Sequence, residues 1–451
     1  MKETNKGYWW LPGDEDSKCN GELDTSSRYP VLSLNGVGSD NIARRVPPFV
    51  MHGLLLNGLK VTMLECHTNG GSQFLHTGMG ELNIESSCVI VGDSHYDGGE
   101  NVYSGVKLSL SLLSEWTHLT AIKIDHQEGK QIIHLEPIEA IKFNLSNGIK
   151  GELGFTIDEK FGTYGKESFS VSEDTYLEFS FESKKNITEL EEFGRKIQTF
   201  LMFCTRKPIK IEKMTPIIEY KKRKIGNSER LVPIADTVYA YFIENDEKKI
   251  EYRNQLIWFE DIKDKFGESL ERWLDLNESI RPALDLLFSV KRATHMYLEN
   301  EFLVLCQALE SLHRRTMGRK AFDEAKFDTM LVDMIATVPD EHKEWWNGKL
   351  KNLNSPTLRD RLQEMVGSFQ EVWAGYKGVD VFAQRISATR NYYTHFGDKT
   401  KHVYSLEEMM LVVGKLEALI EMHVLKELGF STKDIVDICN KNFMWKEVIE
   451  R

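Results

Sequence analysis

Cysteine is scarce and scattered in this sequence: Cys19, Cys66, Cys88, Cys204, Cys306 and Cys439 include no CxxC or other close pair. That spacing excludes a dense disulfide framework and a cysteine-built zinc cluster, and a reducing cytoplasm fits best. No stretch approaches the ~18–20 uncharged apolar residues of a membrane span, and the opening Met1 to Gly7 is polar and charged, unlike a secretory signal. Basic charge is short as well. Lys and Arg number 57 against 69 Asp and Glu, a net charge of -12, which excludes coating of nucleic acid by bulk electrostatics. The deficit is uneven: residues 286–451 carry only about -1, so a local phosphate site is open to that part. Eleven Pro, 32 Gly, 41% hydrophobic and 28% charged residues in 451 exclude collagen-like, coiled-coil and largely disordered chains and leave room for two or three domains.

The familiar nucleotide and hydrolase signatures are missing too: no GxxxxGK[ST] loop, no GxSxG elbow, no HExxH helix. Gly36-Val37-Gly38-Ser39 lacks the third glycine and the following helix of a dinucleotide loop. Asp93-Ser94-His95-Tyr96-Asp97 alternates acid, imidazole and acid, and alternate residues of a strand share a face, so a metal grip is one reading. A polar exit from the apolar run Cys88 to Val91 is the plainer one.

What is present divides the chain. From Gly7 to Ser183 the text is short apolar or alternating runs, such as Leu59 to Leu64, Cys88 to Val91, Leu108 to Leu113 and Tyr176 to Phe181, broken by Gly, Asn, Asp and Ser. They predict strands of an antiparallel sandwich or barrel. Leu190, Phe193, Ile197 and Leu201 recur at helical spacing, with Asn186 and Thr188 as capping residues, and predict a helix over 186–203. Strand-like text resumes at Ile209 to Ile218, Arg230 to Val232 and Val238 to Ile243. After Leu256 the chain reads as helical to its end. Leu298, Phe302, Leu305, Leu309 and Leu312 make one apolar stripe over 297–315, and further helices are expected at 270–286, 322–335, 357–372, 381–396 and 405–428, the last opened by the capping box Ser405 with Glu408. The fold class is therefore α+β: a β-rich, sandwich-like region 1–185, a mixed α/β connecting region 186–256 and an all-α bundle 257–451.

One helix carries chemistry. Phe382, Ile386, Thr389 and Tyr393 fall at steps of four, three and four and define its inward face, while Asn391 and His395 share another face and Gly397 is placed to end the helix in a left-handed cap. Arg390 stands beside them. Arg grips phosphate with a planar fork and His moves protons near neutral pH, a combination suited to a phosphodiester. The plainer reading is a surface helix whose Arg390 pairs with an acid and whose His395 caps the last carbonyls.

Arg390 and His395 form an R-x4-H motif, with Asn391 directly after the Arg, and this resembles the signature of the HEPN superfamily. Glu301-Phe302-Leu303, Gln307-Ala308-Leu309-Glu310, Leu358-Arg359-Asp360-Arg361-Leu362 and Arg390 to Phe396 follow in the order of its ApeA-like branch. Gly7-Tyr8-Trp9-Trp10-Leu11-Pro12, Gly21-Glu22-Leu23 and Leu32-Ser33-Leu34-Asn35-Gly36 resemble the opening of the ApeA N-terminal domain, although Trp9 and Trp10 alone would read as an apolar anchor at a sheet edge.

The resemblance implies an antiphage abortive-infection protein of the bacterial cytoplasm, homodimeric through its HEPN bundle, with a β-rich N-terminal region that senses a phage component. It implies a cofactor-free, metal-independent endoribonuclease that leaves 2',3'-cyclic phosphate ends, with a tRNA anticodon loop as the substrate. His395 is then general acid or base, Arg390 the transition-state clamp and Asn391 an orienter of His395 or of phosphate. Tyr392 is a stacking residue and Glu310 a tuning acid. Arg314 and Arg315, with Arg319 and Lys320, would guide the RNA backbone, or else form a solvated basic helix end. The alternative is a catalytically inert HEPN nucleotide-binding or protein-interaction module.

Overall fold

A computed structural model describes the chain except residues 1–3, 27–28, 39–45, 74–78, 97–98, 101, 128–129, 162–168, 226–227, 241–248, 294, 319, 321, 351–352, 399 and 451. Two compact units emerge. The first comprises residues 1–202, 208–250 and 258–268, the second 203–207, 251–257 and 269–451.

The first unit is built on strands β1 (Thr4–Trp10), β2 (Cys19–Asp24), β3 (Val31–Gly38), β4 (Phe49–Leu55), β5 (Lys60–Gln73), β6 (Met79–Glu85), β7 (Cys88–Gly92) and β8 (Tyr103–Leu110). A short helix α1 (Leu113–Thr117) leads to β9 (Ile122–Gln127) and β10 (Lys130–Leu135), which pair with each other as a separate two-stranded sheet. Then come β11 (Ile141–Asn144), β12 (Lys150–Phe161), β13 (Phe169–Lys185), helix α2 (Ile187–Thr205), β14 (Ile211–Ile225), β15 (Ser228–Ala235) and β16 (Thr237–Ala240). β5, β4, β1, β2, β3 and β6 are hydrogen-bonded in that order, and β6 returns to β5, closing a six-stranded antiparallel barrel. From β5 the sheet continues through β7, β16, β14, β8, β13 and β12 to β11. Several strands far exceed the short runs read from sequence, because their solvent-facing residues are polar and hide the alternation.

The barrel core is apolar: Leu23, Leu32, Leu34, Met51, Val61, Met63 and Ile84 are fully buried around Trp9. Trp9 lies opposite Gly53, and a Cβ there would collide with the indole, so the barrel closes over Trp9 only because that position has no side chain. The helix expected over 186–203 is α2. Asn186 Oδ1 accepts from the Glu189 amide at 2.9 Å while the Glu189 carboxylate accepts from the Asn186 amide at 3.0 Å, and Phe193 packs edge-on to Phe179 and Phe181 of β13. The run Leu108 to Leu113 is not one strand: β8 ends at Leu110, and Leu112 turns left-handed to start α1. Of the Val238 to Ile243 run, residues 241–243 lie outside the described residues, as do Asp97 and Ser39.

The second unit is helical: α3 (Phe259–Ile262) precedes it in sequence, and α4 (Phe266–Arg292) runs into it, followed by α5 (Leu298–Thr316), α6 (Glu324–Ala336), α7 (Asp340–Leu350), α8 (Leu358–Gly367), α9 (Gln370–Trp373), α10 (Val379–His395), α11 (Leu406–Glu427), α12 (Thr432–Lys441) and α13 (Phe443–Glu450). α4 is longer than expected and kinked at Ile280, because Pro282 lacks an amide and crowds the preceding turn. The helix expected over 357–372 breaks into α8 and α9, because Phe369 leaves helical geometry (φ -133°, ψ 42°) and is fully buried. α11 starts at the Ser405 and Glu408 capping box and is buried on nearly all sides, by residues such as Leu416, Leu419, Ile420 and Val424. α5 packs against α11, α8 and α10. Among the described residues no helix is long and apolar enough to cross a membrane.

A charged cluster sits inside this unit. Glu421 of α11, fully buried, accepts from Arg206 Nε at 3.0 Å and from the Trp445 indole at 2.8 Å, and lies 2.9 Å from Lys291 Nζ. Arg206 also reaches Glu417 at 3.3 Å and is held in a left-handed conformation, φ 57°. Burial works to raise the Glu421 carboxyl, but the facing Arg206 and Lys291 charges overcome it and hold it below the ordinary carboxylate range.

Candidate active site

α10 presents its chemistry at its C-terminal end because its other face is spent on the core. Phe382, Ile386 and Thr389 are fully buried as their spacing requires, Thr389 Oγ1 accepting from the Tyr404 amide at 2.9 Å; Tyr393, fourth in that series, is only half-buried. Arg390 leaves the adjacent face towards α5, its Nη2 lying 3.5 Å from Glu310 Oε1, with both side chains partly open to solvent at 33% and 26%. Its Nη1 donates to Asn391 Oδ1 at 3.3 Å. Asn391 is thus joined to Arg390, and among the described residues it makes no hydrogen bond to His395. His395 is exposed and has no hydrogen bond or ion pair among the described residues.

The helix end differs from the expected glycine cap. Phe396, not Gly397, takes the left-handed conformation (φ 49°, ψ 38°), and its amide bonds the Tyr392 carbonyl at 2.6 Å. A non-glycine residue there costs roughly 1–2 kcal/mol. Phe396 is 76% exposed, and its ring lies 6.2 Å from Tyr392 and 6.4 Å from Tyr393, so three aromatic rings flank His395 in sequence.

Behind Arg390 lies a second layer that the motif did not disclose. Glu310 and His313 stand one turn apart on α5, and Arg361 and Glu364 one turn apart on α8. Fully buried His313 receives a hydrogen bond at Nδ1 from Arg361 Nη1 at 3.0 Å, which leaves its proton on Nε2 to donate to Glu364 at 3.0 Å. Arg361 also donates to the Pro356 carbonyl at 3.1 Å. Burial pulls the Arg361 guanidinium below its ordinary value, Arg314 adds to this, and Glu310 and Asp360 oppose it. Beneath the pair, burial pushes the Cys306 thiol far up, with Glu310 raising and Arg390 lowering it, so Cys306 is an inert core residue. Matching i, i+3 pairs of opposite chemistry on two helices were the sequence signal for this layer.

The remaining expected residues are spread wider. Arg314 is exposed at the end of α5 and acts electrostatically on Arg361. Arg315 donates to the Ser279 carbonyl at 3.2 Å, beside the kink of α4. Arg319 lies outside the described residues. Tyr392 is half-buried, packed edge-on to Tyr393 with ring centres 5.1 Å apart. In the first unit, His95 bonds the Val61 carbonyl at 3.1 Å and stacks on His52 at 4.2 Å, and among the described residues no group of three His, Cys, Asp or Glu side chains is arranged to hold a metal.

Chemically, the α10 end offers a half-open guanidinium steadied by one carboxylate, a neighbouring amide and an exposed imidazole. A family model described as ApeA N-terminal domain 1 matches residues 4–273, and one described as Apea-like HEPN matches residues 303–434. The chain belongs to the ApeA family and carries a C-terminal HEPN domain. It is a HEPN-containing antiphage protein. Glu310, His313, Arg361, Arg390, Asn391 and His395 all fall within the matched HEPN segment. No curated protein and no solved structure matches the chain.

Proposed function

We propose that this ApeA-family protein is a metal-independent HEPN endoribonuclease of the bacterial cytoplasm. It cleaves tRNA in the anticodon loop once its β-rich region senses a phage component, and so stops translation in the infected cell. The observation that carries the reading is the pairing of a half-exposed Arg390, fixed by Glu310, with an exposed His395 that makes no hydrogen bond or ion pair among the described residues.

In the reaction, the ribose 2'-oxygen bonds to the adjacent phosphorus, the bond from phosphorus to the 5'-oxygen breaks, and the products are a 2',3'-cyclic phosphate and a 5'-hydroxyl. One proton must leave the 2'-hydroxyl and one must reach the departing 5'-oxygen. His395 serves one of these transfers, worth about 10²- to 10⁴-fold. A second copy, expected for HEPN domains, supplies an equivalent imidazole for the other. Arg390 clamps the charge that develops on the phosphorane oxygens. Asn391, bonded to Arg390, orients that clamp, and half-buried Tyr392 offers a ring on which a base can stack. Attack by the 2'-hydroxyl needs a splayed nucleotide, which favours single-stranded loops over A-form duplex.

The test is incubation of the full chain with total tRNA in EDTA, with and without extract of phage-infected cells, beside His395→Ala. Cyclic phosphate ends made by the parent protein and not by the variant are the expected result; intact tRNA under every condition would overturn the reading. The Glu310 pairing, which occupies part of Arg390, is the observation that favours the second reading, an inert nucleotide-binding or protein-interaction module. Retained RNA or protein binding without cleavage is its signature.

A further inference from the structure

The C-terminal end of α10 carries more aromatic surface than the fold consumes. Tyr393 is half-buried, and burial raises its hydroxyl above the ordinary phenol range, with the Glu299 carboxylate of α5 and then Tyr392 adding to the rise. Tyr392 is half-buried as well, its ring edge-on to Tyr393. Phe396 differs from both, because it is the most exposed phenylalanine among the described residues. Its ring leans on the two tyrosines, tilted 57° to Tyr392 and 82° to Tyr393, so one side is steadied while most of the ring meets solvent.

The ring owes this position to a strained turn. Gly397, one residue on, could take the left-handed conformation without steric cost, yet the turn falls on Phe396, whose Cβ opposes it. Residues held in such conformations cluster at functional sites, and here the effect is to end the helix at His395 and set an aromatic ring directly after it. Consecutive Cα atoms lie about 3.8 Å apart, so the ring stands within one nucleotide's reach of the His395 imidazole. A Cβ built at Gly397 meets no atom within 4 Å, so the space beside this turn is open. Charge favours RNA over an apolar protein partner: from Arg390 to His402 the sequence holds three Lys and Arg against one Asp, in a chain whose net charge is -12. Exposed aromatics interleaved with cations are how single-strand sites are built, since every base has a π-face to stack while the cations follow the phosphates.

We infer that Phe396 stacks on the unpaired base of a nucleotide beside the scissile phosphate, a second stacking position further out than half-buried Tyr392. This rests on the reading of Arg390 and His395 as the cleavage pair, and it adds the residue by which the site selects unpaired RNA. The test measures binding of a short single-stranded oligonucleotide to the full chain. Its 2'-fluoro riboses cannot supply the attacking hydroxyl, and a 2-aminopurine within it reports stacking by fluorescence. Phe396→Gly should weaken binding by about five- to 150-fold and abolish the fluorescence change. Phe396→Leu, which keeps apolar bulk without a π-face, should weaken it nearly as much, while Phe396→Trp should bind as tightly as the parent protein. The thermal midpoint of Phe396→Gly should hardly move, because relief of the left-handed strain offsets the greater freedom of glycine when unfolded; a ring with a merely structural role would lower it. With cleavable RNA, Phe396→Gly should raise KM with kcat nearly unchanged. Equal binding by the parent, Gly and Leu forms, or a parent protein that binds no single-stranded RNA, would overturn the inference. Weakened binding with no cleavage by any form would sustain it and sink the ribonuclease reading; cleavage with an unchanged KM in Phe396→Gly would do the reverse.

Discussion

Glu310 Oε1 lies 3.5 Å from Nη2 of Arg390, joining the first long helix of the HEPN domain to the helix end that bears His395. The carboxylate aims the guanidinium without enclosing it, since a third of the Arg390 side chain stays open to solvent. This makes Glu310 a positioning residue that acts through Arg390.

A double-mutant cycle on RNA cleavage tests that role. Arg390→Ala is expected to lower the rate by about 10²-fold or more, as loss of a charge clamp does. Glu310→Ala should cost about tenfold, and the double variant should be no slower than Arg390→Ala, because the two side chains act as one unit. Thermal midpoints should hardly move, since a pair this exposed contributes about 0.2–1 kcal/mol. Additive losses in rate would mean that Glu310 acts by itself.

The cluster around Glu421 predicts the opposite balance, a large effect on stability away from the chemistry. Glu421→Ala leaves Arg206 and Lys291 buried with Glu417 as their shared carboxylate, and should destabilise the helical unit by about 3–5 kcal/mol. Denaturant unfolding followed on the helical signal reads this directly. A loss below about 1 kcal/mol would mean that water reaches the cluster.

His423 predicts a pH dependence. Burial pulls its pKa down to about 4, against a smaller upward pull from its bond to the Met365 carbonyl at 3.1 Å. The unfolded chain takes up this proton near pH 6.5, while the folded one resists it until about 4. Its stabilising contribution is therefore complete above pH 6.5 and is lost as pH falls through that window, by roughly 3 kcal/mol in total. Unfolding midpoints of the parent and of His423→Gln, taken from pH 7 down to pH 4.5, should converge on acidification. Parallel curves would show that His423 does not carry the effect.

Sequence alone determined what depends on neighbours along the chain. The inward face of α10 was legible because Phe382, Ile386 and Thr389 repeat at the helical period, and the stripe from Leu298 to Leu312 and the Ser405 capping box fixed α5 and the start of α11 in the same way. Arg390, Asn391 and His395 could be picked out because they share one helix end. Local signals misled at Phe369, a buried residue that splits α8 from α9, and at Phe396, an exposed residue that took the left-handed position expected of Gly397.

Tertiary structure alone decided the rest. Periodicity says which side of a helix faces inward but not which helix it meets, so the contacts of Arg390 with Glu310 and of Arg361 with His313 required the packing of α5, α8 and α10. The closure of β6 onto β5 needed the same kind of information, because strand pairing is set by backbone hydrogen bonds that leave no mark on residue type. The bare α6–α7 hairpin shows the limit most plainly. A helix was expected over 322–335 but none at α7, and only the folded chain shows that no residue from Phe322 to Lys349 is buried.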